Sequence, residues 1–341
     1  METYKIGKYS AFSTFKKNVG NNNQFLVTAL IGINKIDESD KGKKDPAPWS
    51  PCNIDSAKAR SRDFVKKAGL TWTIDCLDEL LKNFFKSFFS EKDTFYKLDE
   101  TFVVCIEKTN NIPSELKEKN KLSYEQVNRS VYWKFTVVSD FIKNKKDDLL
   151  NWRKAASYRI GKNGEEPFFP ELELVFALID LAIQWRNNLV HNGIDNPISM
   201  NTLRVLKKYK ELLASNQYGT LDISIMLDSF KKHKVMSFKE LSVMIRNAID
   251  FGFILNAYWI NEVNKSLILN RALSELLPLG GEDNNEYFLK LHSLSPERQK
   301  GNIIMTLGQK GVFLEKVDGK EKSEEEIIID HYLSLMSKRA T

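Results

Sequence analysis

The sequence predicts a mainly α-helical protein built around a bundle of helices. Residues 172–191 are apolar around most of a helical circumference, and residues 72–89 combine acidic and apolar side chains at helical spacing. Residues 237–240 read Ser-Phe-Lys-Glu, which is the form of a capping box at a helix N-terminus. An additional, mostly helical C-terminal region and one or two short β-hairpins complete the predicted fold.

The first part of the chain is predicted to pass from an apolar segment into helices. Residues 24–36 are apolar and fit either a helix or a strand, and residues 37–53 form a loop rich in Lys, Asp, Gly and Pro. Residues 56–67 and 72–89 are predicted as two separate helices. Residues 101–106 are rich in β-branched side chains, which favours a short strand.

The middle of the chain leads to the most apolar segment. Helices are predicted over residues 123–143 and 147–158, with a lysine-rich break between them. Residues 160–167 contain two glycines and form a turn before the helix over residues 172–191.

The remaining elements are also mostly helical. Residues 199–214 predict a short amphipathic helix, and the break at 216–219 indicates a domain boundary. The capping box opens a long helix that ends near Val263. Residues 308–319 contain an apolar run between glycines and predict a small hairpin, and residues 324–336 predict an amphipathic helix that begins with glutamates.

These elements divide the chain into three predicted parts. Residues 1–55 form an N-terminal segment with a Pro-rich loop, residues 56–215 a helical domain, and residues 216–341 a mostly helical C-terminal domain of unknown role. A chain of 341 residues is long enough for two or three domains.

The few polar residues of the segment 172–191 are the most informative part of the sequence. Asp180, Gln184, Asn187 and His191 are spaced by 4, 3 and 4 residues, so a helix places them in a single stripe with Asn188 beside it. The rest of this helix is apolar and is expected to be largely buried. The stripe must therefore face a polar partner, a cleft or a second subunit.

Arg186 lies on the same helix but outside the stripe, about 140° around the axis from His191. The two side chains can therefore meet if Arg186 curls over, if its partner comes from another chain, or if the helix loosens at Asn187 and Asn188. An Arg and a His held together suit cleavage of RNA without a metal. The His can move a proton to or from a ribose 2′-hydroxyl or a leaving 5′-oxygen, while the Arg holds the phosphate.

The pattern Arg186-Asn187-x-x-x-His191 near the end of a long apolar helix resembles the signature of the HEPN superfamily. These are all-α domains, many of which are metal-independent ribonucleases of bacterial toxin, antiphage-defence and CRISPR systems. Arg186 matches the family's Arg, Asn187 the polar residue that follows it, and His191 the family's His. The resemblance covers residues 56–215, and the sequence does not place the acidic or polar residue that the family tends to carry on a neighbouring helix.

The resemblance implies an endoribonuclease that acts as a toxin or an antiphage-defence effector. His191 is then the general acid or base, Arg186 holds the phosphate and the transition state, and Asn187 orients them. Such domains pair Arg and His across a two-fold axis, which implies a homodimer through the motif helices. No cofactor is implied, and the partners are RNA and an antitoxin or another protein of a defence system.

Charge is consistent with an anionic partner, since the formal net charge is +6. Arg204, Lys207 and Lys208 follow the motif helix closely in sequence, where a phosphate backbone entering the site would need cations. We therefore predict that these three residues bind RNA.

Metal-dependent chemistry is less well supported by the sequence. The carboxylate pair Asp147 and Asp148, or Asp75 with Asp78 and Glu79, has the ligand type that magnesium prefers, but no ordered acidic-plus-Lys nuclease pattern accompanies either group. No metal site is predicted.

Cysteine content and hydropathy bound the location of the protein. Cys52, Cys76 and Cys105 have no His or Cys neighbours at metal-ligand spacing, and their odd number does not suit a disulfide scaffold. The sequence contains no apolar run long enough to span a membrane, and it begins without a hydrophobic signal region. We expect a cytoplasmic protein with no membrane partner.

The alternative is a non-catalytic helical module that binds nucleic acid or a partner protein. In that interpretation Arg186 is a surface residue of a structural helix and His191 caps its last carbonyl groups. Arg246-Asn247 lies on another apolar helix and no His follows it, so an Arg-Asn pair on a helix does not require chemistry.

Overall fold

Helices dominate the structure, which is a computed structural model. It describes residues 2–42, 51–89, 129–144, 171–191, 197–262, 265–276, 291, 293–309 and 311–339. Within these residues there are eleven α-helices and one two-stranded sheet, so the predicted mainly α-helical fold is confirmed. Among the helices described, none combines the length and apolar character needed to cross a membrane.

The elements of the first part of the chain are β1 (Glu2–Tyr9), α1 (Ser10–Lys35), α2 (Ile54–Phe89), α3 (Val131–Asn144) and α4 (Leu172–Val190). They are followed by α5 (Met200–Lys208), α6 (Lys210–Ala214), α7 (Ile223–Lys231), α8 (Phe238–Glu262), α9 (Lys265–Leu276), α10 (Pro296–Gln309), β2 (Val312–Asp318) and α11 (Glu324–Arg339). Short 3-10 turns lie at Glu38–Asp40 and Asn216–Tyr218.

Helix α2 is continuous, which corrects the prediction of two helices over residues 56–67 and 72–89. The helix passes through Gly69 because α1 lies against it there: a Cβ atom at Gly69 would lie 2.5 Å from Leu26 Cδ2. Asn22 of α1 donates its Nδ2 protons to the Gly69 carbonyl and to Thr73 Oγ1, both at 3.0 Å. Packing against α1 therefore outweighs the low helix propensity of this glycine.

Helix starts follow the capping signals of the sequence. At α8 the Ser237 amide donates to Glu240 Oε2 at 2.5 Å, and the Glu240 amide donates to Ser237 Oγ at 3.2 Å, so the predicted capping box is confirmed. Ser199 caps α5 by accepting from the Thr202 amide at 3.0 Å. The single helix predicted over residues 199–214 is instead two helices, α5 and α6, which meet at Tyr209.

The prediction of a local hairpin over residues 308–319 is wrong. Strand β2 pairs antiparallel with β1, with Thr3 opposite Val317 and Ile6 opposite Leu314. The glycine signal did identify a turn, since Gly311 has a φ of 89° directly before β2. The partner strand lies at the other end of the chain, and nothing in the local sequence indicates it.

Two clusters of buried residues form the hydrophobic interior. The first joins side chains of α1 to α8, from Phe12 to Tyr258, and the boundaries expected after residues 55 and 215 both fall inside it. The second joins β1, α9, α10, β2 and α11, with Ile6, Leu273 and Ile329 among its members.

Helix α4 lies in the first core, where it packs against α2, α3, α5 and α8. Phe176 of α4, Phe135 of α3 and Phe251 of α8 form a group of edge-on rings with centroids 5.5 to 6.2 Å apart. The Trp185 indole donates to the Lys234 carbonyl at 2.9 Å. The apolar surface that the sequence predicts for α4 is therefore buried against these neighbouring helices.

Some predicted elements lie outside the described residues. They are the strand at 101–106, the first part of the helix predicted over residues 123–143, the helix at 147–158, the turn at 160–167 and residues 43–50 of the Pro-rich loop.

Substitution of alanine for two helical glycines should change the free energy of unfolding in opposite directions. A Cβ atom at Gly252 would lie 2.6 Å from Phe15 Cε1 and 3.2 Å from Phe12 Cε2, while one at Gly20 would meet no atom within 4 Å. We expect Gly252→Ala to lower the free energy of unfolding by about 1–3 kcal/mol through overpacking. Gly20→Ala should raise it by about 0.5–1 kcal/mol through helix propensity. Urea titration followed by circular dichroism measures both, and a stabilising Gly252→Ala would contradict the close contact of α1 with α8.

Candidate functional site

The first half of the polar stripe is covered within the chain. Asp180 is buried and accepts a hydrogen bond from the Thr202 hydroxyl of α5. Burial raises the pKa of Asp180, and hydrogen bonds from Thr202 and Gln184 partly offset this rise. Burial also raises the pKa of Tyr132 on α3, and the Asp180 carboxylate adds to the effect. Asp180 therefore docks α5 onto α4, and this half of the stripe is buried inside the molecule.

Arg186 points to helix α2. Its Nη2 atom lies 3.3 Å from Asp75 Oδ1, and its Nη1 atom donates to Asn187 Oδ1 at 3.4 Å. Charge-assisted N–H···O bonds are commonly 2.7–2.9 Å long, roughly half an ångström shorter than the bond to Asp75, so Asp75 holds Arg186 loosely. The Arg186 Nε donor is buried and has no hydrogen-bond partner in the part of the chain that the structure describes.

Asp75 is the residue of this site that sequence reasoning did not place. The sequence shows Asp75 among the acidic positions of residues 72–89, where it shares with Asp78 and Glu79 the ligand type that magnesium prefers. Helical spacing shows that these carboxylates share one face, but it does not tell which cation each of them meets. The contact with Arg186 spans 111 residues of sequence.

The neighbouring carboxylate, Asp78, has a different role. Lys134 of α3 is fully buried and its Nζ lies 2.6 Å from Asp78 Oδ1, and Lys82 Nζ lies 3.0 Å from Asp78 Oδ2. Burial lowers the pKa of Lys134, an effect that Asp78 partly reverses. Each oxygen of the Asp78 carboxylate is therefore paired with the ammonium group of a lysine. Across the described ranges, no group of three His, Cys, Asp or Glu side chains is placed to hold a metal ion.

His191 is the C-cap residue of α4, and its amide donates to the Asn187 carbonyl at 2.9 Å. The side chain is exposed. No hydrogen bond or ion pair joins it to Arg186 among the atoms that the structure describes. Asn188 beside it is buried, and Asn187 is half-buried. Gly193, expected to cap the helix in a left-handed conformation, lies outside the described residues.

The structure thus brings together Arg186, Asn187 and Asp75, and it leaves His191 accessible at the same end of α4. The helix does not loosen at Asn187 and Asn188, since it continues to Val190. Of the three routes by which the sequence allowed Arg186 and His191 to meet, curling within one chain and pairing between two chains remain.

The predicted RNA-binding residues lie on α5 and differ in their surroundings. Lys207 is exposed, and Arg204 donates to Asn201 Oδ1 at 2.8 Å. Lys208 Nζ lies 2.6 Å from Glu173 Oε1, which also accepts from the Tyr209 hydroxyl at 2.9 Å. The hydrogen bond from Lys208 lowers the pKa of Glu173. Lys207 and Arg204 therefore form no ion pair in the described region, although Arg204 lies near enough to help lower the pKa of Glu173, whereas Lys208 is paired.

Comparison with known proteins gives no relative: no protein-family model, no curated protein and no solved structure matches this chain.

The buried Asp180 gives a prediction of pH dependence. Because its pKa in the folded protein lies above the ordinary 3.8, the folded state binds the proton more tightly than the unfolded chain does. The stability that protonated Asp180 contributes is thus lost as the pH rises from 3.8 through the raised pKa of the folded protein. We expect the stability of Asp180→Asn relative to wild type to increase as the pH rises from about 4 to about 7.

Thermal unfolding at several pH values measures this difference. Thr202→Val removes the hydroxyl donor and should lower the free energy of unfolding by about 1–3 kcal/mol, most strongly where Asp180 is ionised. A stability difference between Asp180→Asn and wild type that stays constant with pH would show that Asp180 is not buried against α5.

Proposed function

We propose that the chain is a metal-independent endoribonuclease of HEPN type that acts as a toxin or an antiphage-defence effector. The observation that carries the proposal is the state of Arg186 at the end of α4. It is half-buried and loosely held by Asp75 and Asn187, while His191 stands exposed about one and a half helical turns further along. A planar guanidinium whose Nη atoms are loosely held suits a phosphate.

The proposed reaction follows from these groups. A His191 imidazole takes the proton of a ribose 2′-hydroxyl, and the 2′-oxygen attacks the adjacent phosphorus. The bond from phosphorus to the 5′-oxygen breaks, and an imidazolium returns a proton to the leaving 5′-oxygen. The products are a 2′,3′-cyclic phosphate and a 5′-hydroxyl. Arg186 exchanges its contact with Asp75 for the phosphate and its developing charge, and Asn187 orients the guanidinium.

We further propose that two copies meet at the C-terminal ends of their α4 helices. Asp180 and Gln184 are already covered inside the chain, so the contact uses the exposed end of the helix, where Val190 and His191 lie. Arg186 and His191 point to different sides of α4, and a two-fold axis would let Arg186 of one copy meet His191 of the other.

RNA and one protein are the proposed partners. Lys207 and Arg204 on α5 are available for the RNA backbone. Lys208 binds the backbone with them when its ion pair with Glu173 breaks. An antitoxin or another defence-system protein would restrain the nuclease in the cytoplasm.

The chemistry is tested with a matched arginine control. Arg186→Ala and His191→Ala should each abolish RNA cleavage, and the double variant should be no worse than either, because the two groups act as one unit. Arg246→Ala removes an arginine that also precedes an asparagine on an apolar helix, and it should leave cleavage unchanged. Denaturing gels with end-labelled RNA measure cleavage, and circular dichroism checks folding.

Chelation completes this test. EDTA should leave cleavage intact under the proposed mechanism. If cleavage required magnesium, or if folded His191→Ala cut RNA at the wild-type rate, the assignment of this site would be withdrawn.

Assembly is tested by mixing variants. Arg186→Ala and His191→Ala subunits are each inactive, but a mixed dimer keeps one site that has both Arg186 and His191, provided that the two residues come from different copies. Mixing should therefore restore about a quarter of the wild-type activity at equal amounts, assuming random pairing. Analytical ultracentrifugation gives the oligomeric state, and an active monomer would exclude a composite site.

The non-catalytic alternative is favoured by one observation. Arg186 already has an intramolecular partner in Asp75, as a structural surface arginine would. In that case wild-type protein binds RNA or a partner protein without cutting RNA, and His191→Ala changes nothing.

A further inference from the structure

An open groove of about 620 Å³ lies along the outer face of α2. Asn18 of α1 lies on one side, and α2 supplies Phe64, Lys67, Trp72, Asp75 and other residues of the same face. Its volume falls within the roughly 300–1,000 Å³ of small-molecule sites. Of the lining residues, Asp75 also belongs to the candidate catalytic site, through its contact with Arg186.

The groove presents aromatic rings to solvent. Phe64 is 72% exposed and Trp72 is 46% exposed. Phe25 of α1, 59% exposed, extends this surface, with its ring centroid 6.1 Å from that of Trp72. Large aromatic side chains contribute most to folding when they are buried, so a group of three left exposed on neighbouring helices indicates a binding surface.

Trp72 and Cys76 both line the groove, one helical turn apart on α2. Burial raises the pKa of the Cys76 thiol, and its interaction with Trp72 partly offsets this rise. About half of the Trp72 side chain stays accessible, and an open ring surface suits stacking of a planar ligand.

Cations accompany the aromatic surface. Helix α2 carries Lys58, Arg60 and Lys67, none of which has a carboxylate partner in the part of the chain that the structure describes, and Lys67 lines the groove. The other two basic residues of this stretch are engaged: Lys66 lies 2.6 Å from Asp63, and Arg62 donates to Asn34. Asp75 and Glu79 also line the groove, but each lies beside a cation, Arg186 at 3.3 Å and Lys82 at 3.8 Å. Lys67, with Arg60 one helical turn before Phe64, leaves unpaired positive charge at the Phe64 end of the groove, which favours an anionic ligand there over an apolar peptide.

The groove also leads to the candidate catalytic site. Asp75 lines the groove and contacts Arg186. At about 1.5 Å of rise per residue, Trp72 lies about 5 Å and Phe64 about 17 Å along α2 from Asp75. Along α2 the exposed aromatic rings therefore come first, and Arg186 follows at Asp75. A ligand that carries planar rings on a repeating anionic backbone matches this order.

We propose that this groove binds nucleobases of single-stranded RNA, which stack on Trp72 and Phe64 while their backbone runs past Lys67 to Arg186. The inference rests on the proposed function, since it names where the substrate of that site lies. Stacking on aromatic rings accepts every base, so the groove binds single strands with little sequence preference. The loose contact of Arg186 with Asp75 lets a phosphate compete for the guanidinium.

The test uses fluorescence anisotropy on His191→Ala protein, with a labelled single-stranded RNA of about 12 nucleotides and an abasic strand of the same length. Trp72→Leu should weaken binding of the RNA by roughly 5- to 100-fold, the loss of one stacked base, and should hardly change binding of the abasic strand. Trp72→Phe should retain most of the affinity. Phe238→Leu removes an exposed aromatic ring that does not line the groove and should leave binding unchanged.

Cleavage by otherwise wild-type protein separates this inference from the proposed function. Trp72→Leu should raise KM and leave kcat nearly unchanged, because the ring binds substrate and does not touch the reacting atoms. If wild type cleaves RNA but Trp72→Leu matches it in KM and in affinity, the groove inference is overturned and the nuclease stands. If binding depends on Trp72 and on bases but wild type never cleaves, the groove stands and the nuclease fails.

Two further outcomes would overturn the groove as an RNA site. One is an equal loss of affinity for RNA and for the abasic strand in Trp72→Leu, which would show that the ring is structural. The other is a change in sedimentation without a change in RNA affinity, which would show that a second copy of the chain covers the aromatic surface.

Discussion

Burial of α4 is the constraint on which the rest of the structure depends. Helices α2, α3, α5 and α8 enclose it, and polar groups taken out of water in this way need partners. Asp180 finds the Thr202 hydroxyl, and the Trp185 indole finds the Lys234 carbonyl. These bonds fix where α5 and the segment before α8 lie against α4. The position of the basic helix α5 beside the motif helix is thus a consequence of how α4 satisfies its buried polar atoms.

The candidate site arises where this burial ends. Two carboxylates one turn apart on α2 show the difference. Lys134 is fully buried beside Asp78, so loss of that carboxylate would leave an uncompensated charge in the interior. Asp75 is 59% exposed and meets Arg186 at 3.3 Å, at an edge where water or an anion can replace it. Ion pairs of this kind contribute little stability, which makes the arginine available for a ligand.

Much of the fold could be predicted from the sequence because its signals are local. The apolar circumference of residues 172–191 and the capping box at Ser237 and Glu240 each reflect neighbouring residues, and both correspond to helices. The pairing of β1 with β2 and the continuity of α2 through Gly69 depend on contacts between distant segments, so local patterns missed them. The site divides in the same way. Arg186, Asn187 and His191 share one helix, but their spacing could not name Asp75, and it did not determine whether Arg186 and His191 meet.

The two Arg-Asn pairs of the chain show why partners carry more information than spacing. Arg246 donates to the Gln217 carbonyl and lies 5.8 Å from the centroid of the Tyr218 ring, so it ties α8 to the 3-10 turn before α7. Asn247 is fully buried and donates back to the Val243 carbonyl at 2.8 Å. Arg186 instead meets a carboxylate at the molecular surface, and Asn187 is half-buried beside it. An arginine that closes a turn on a backbone carbonyl contributes to folding, whereas one whose counter-ion is exposed can exchange that carboxylate for a phosphate.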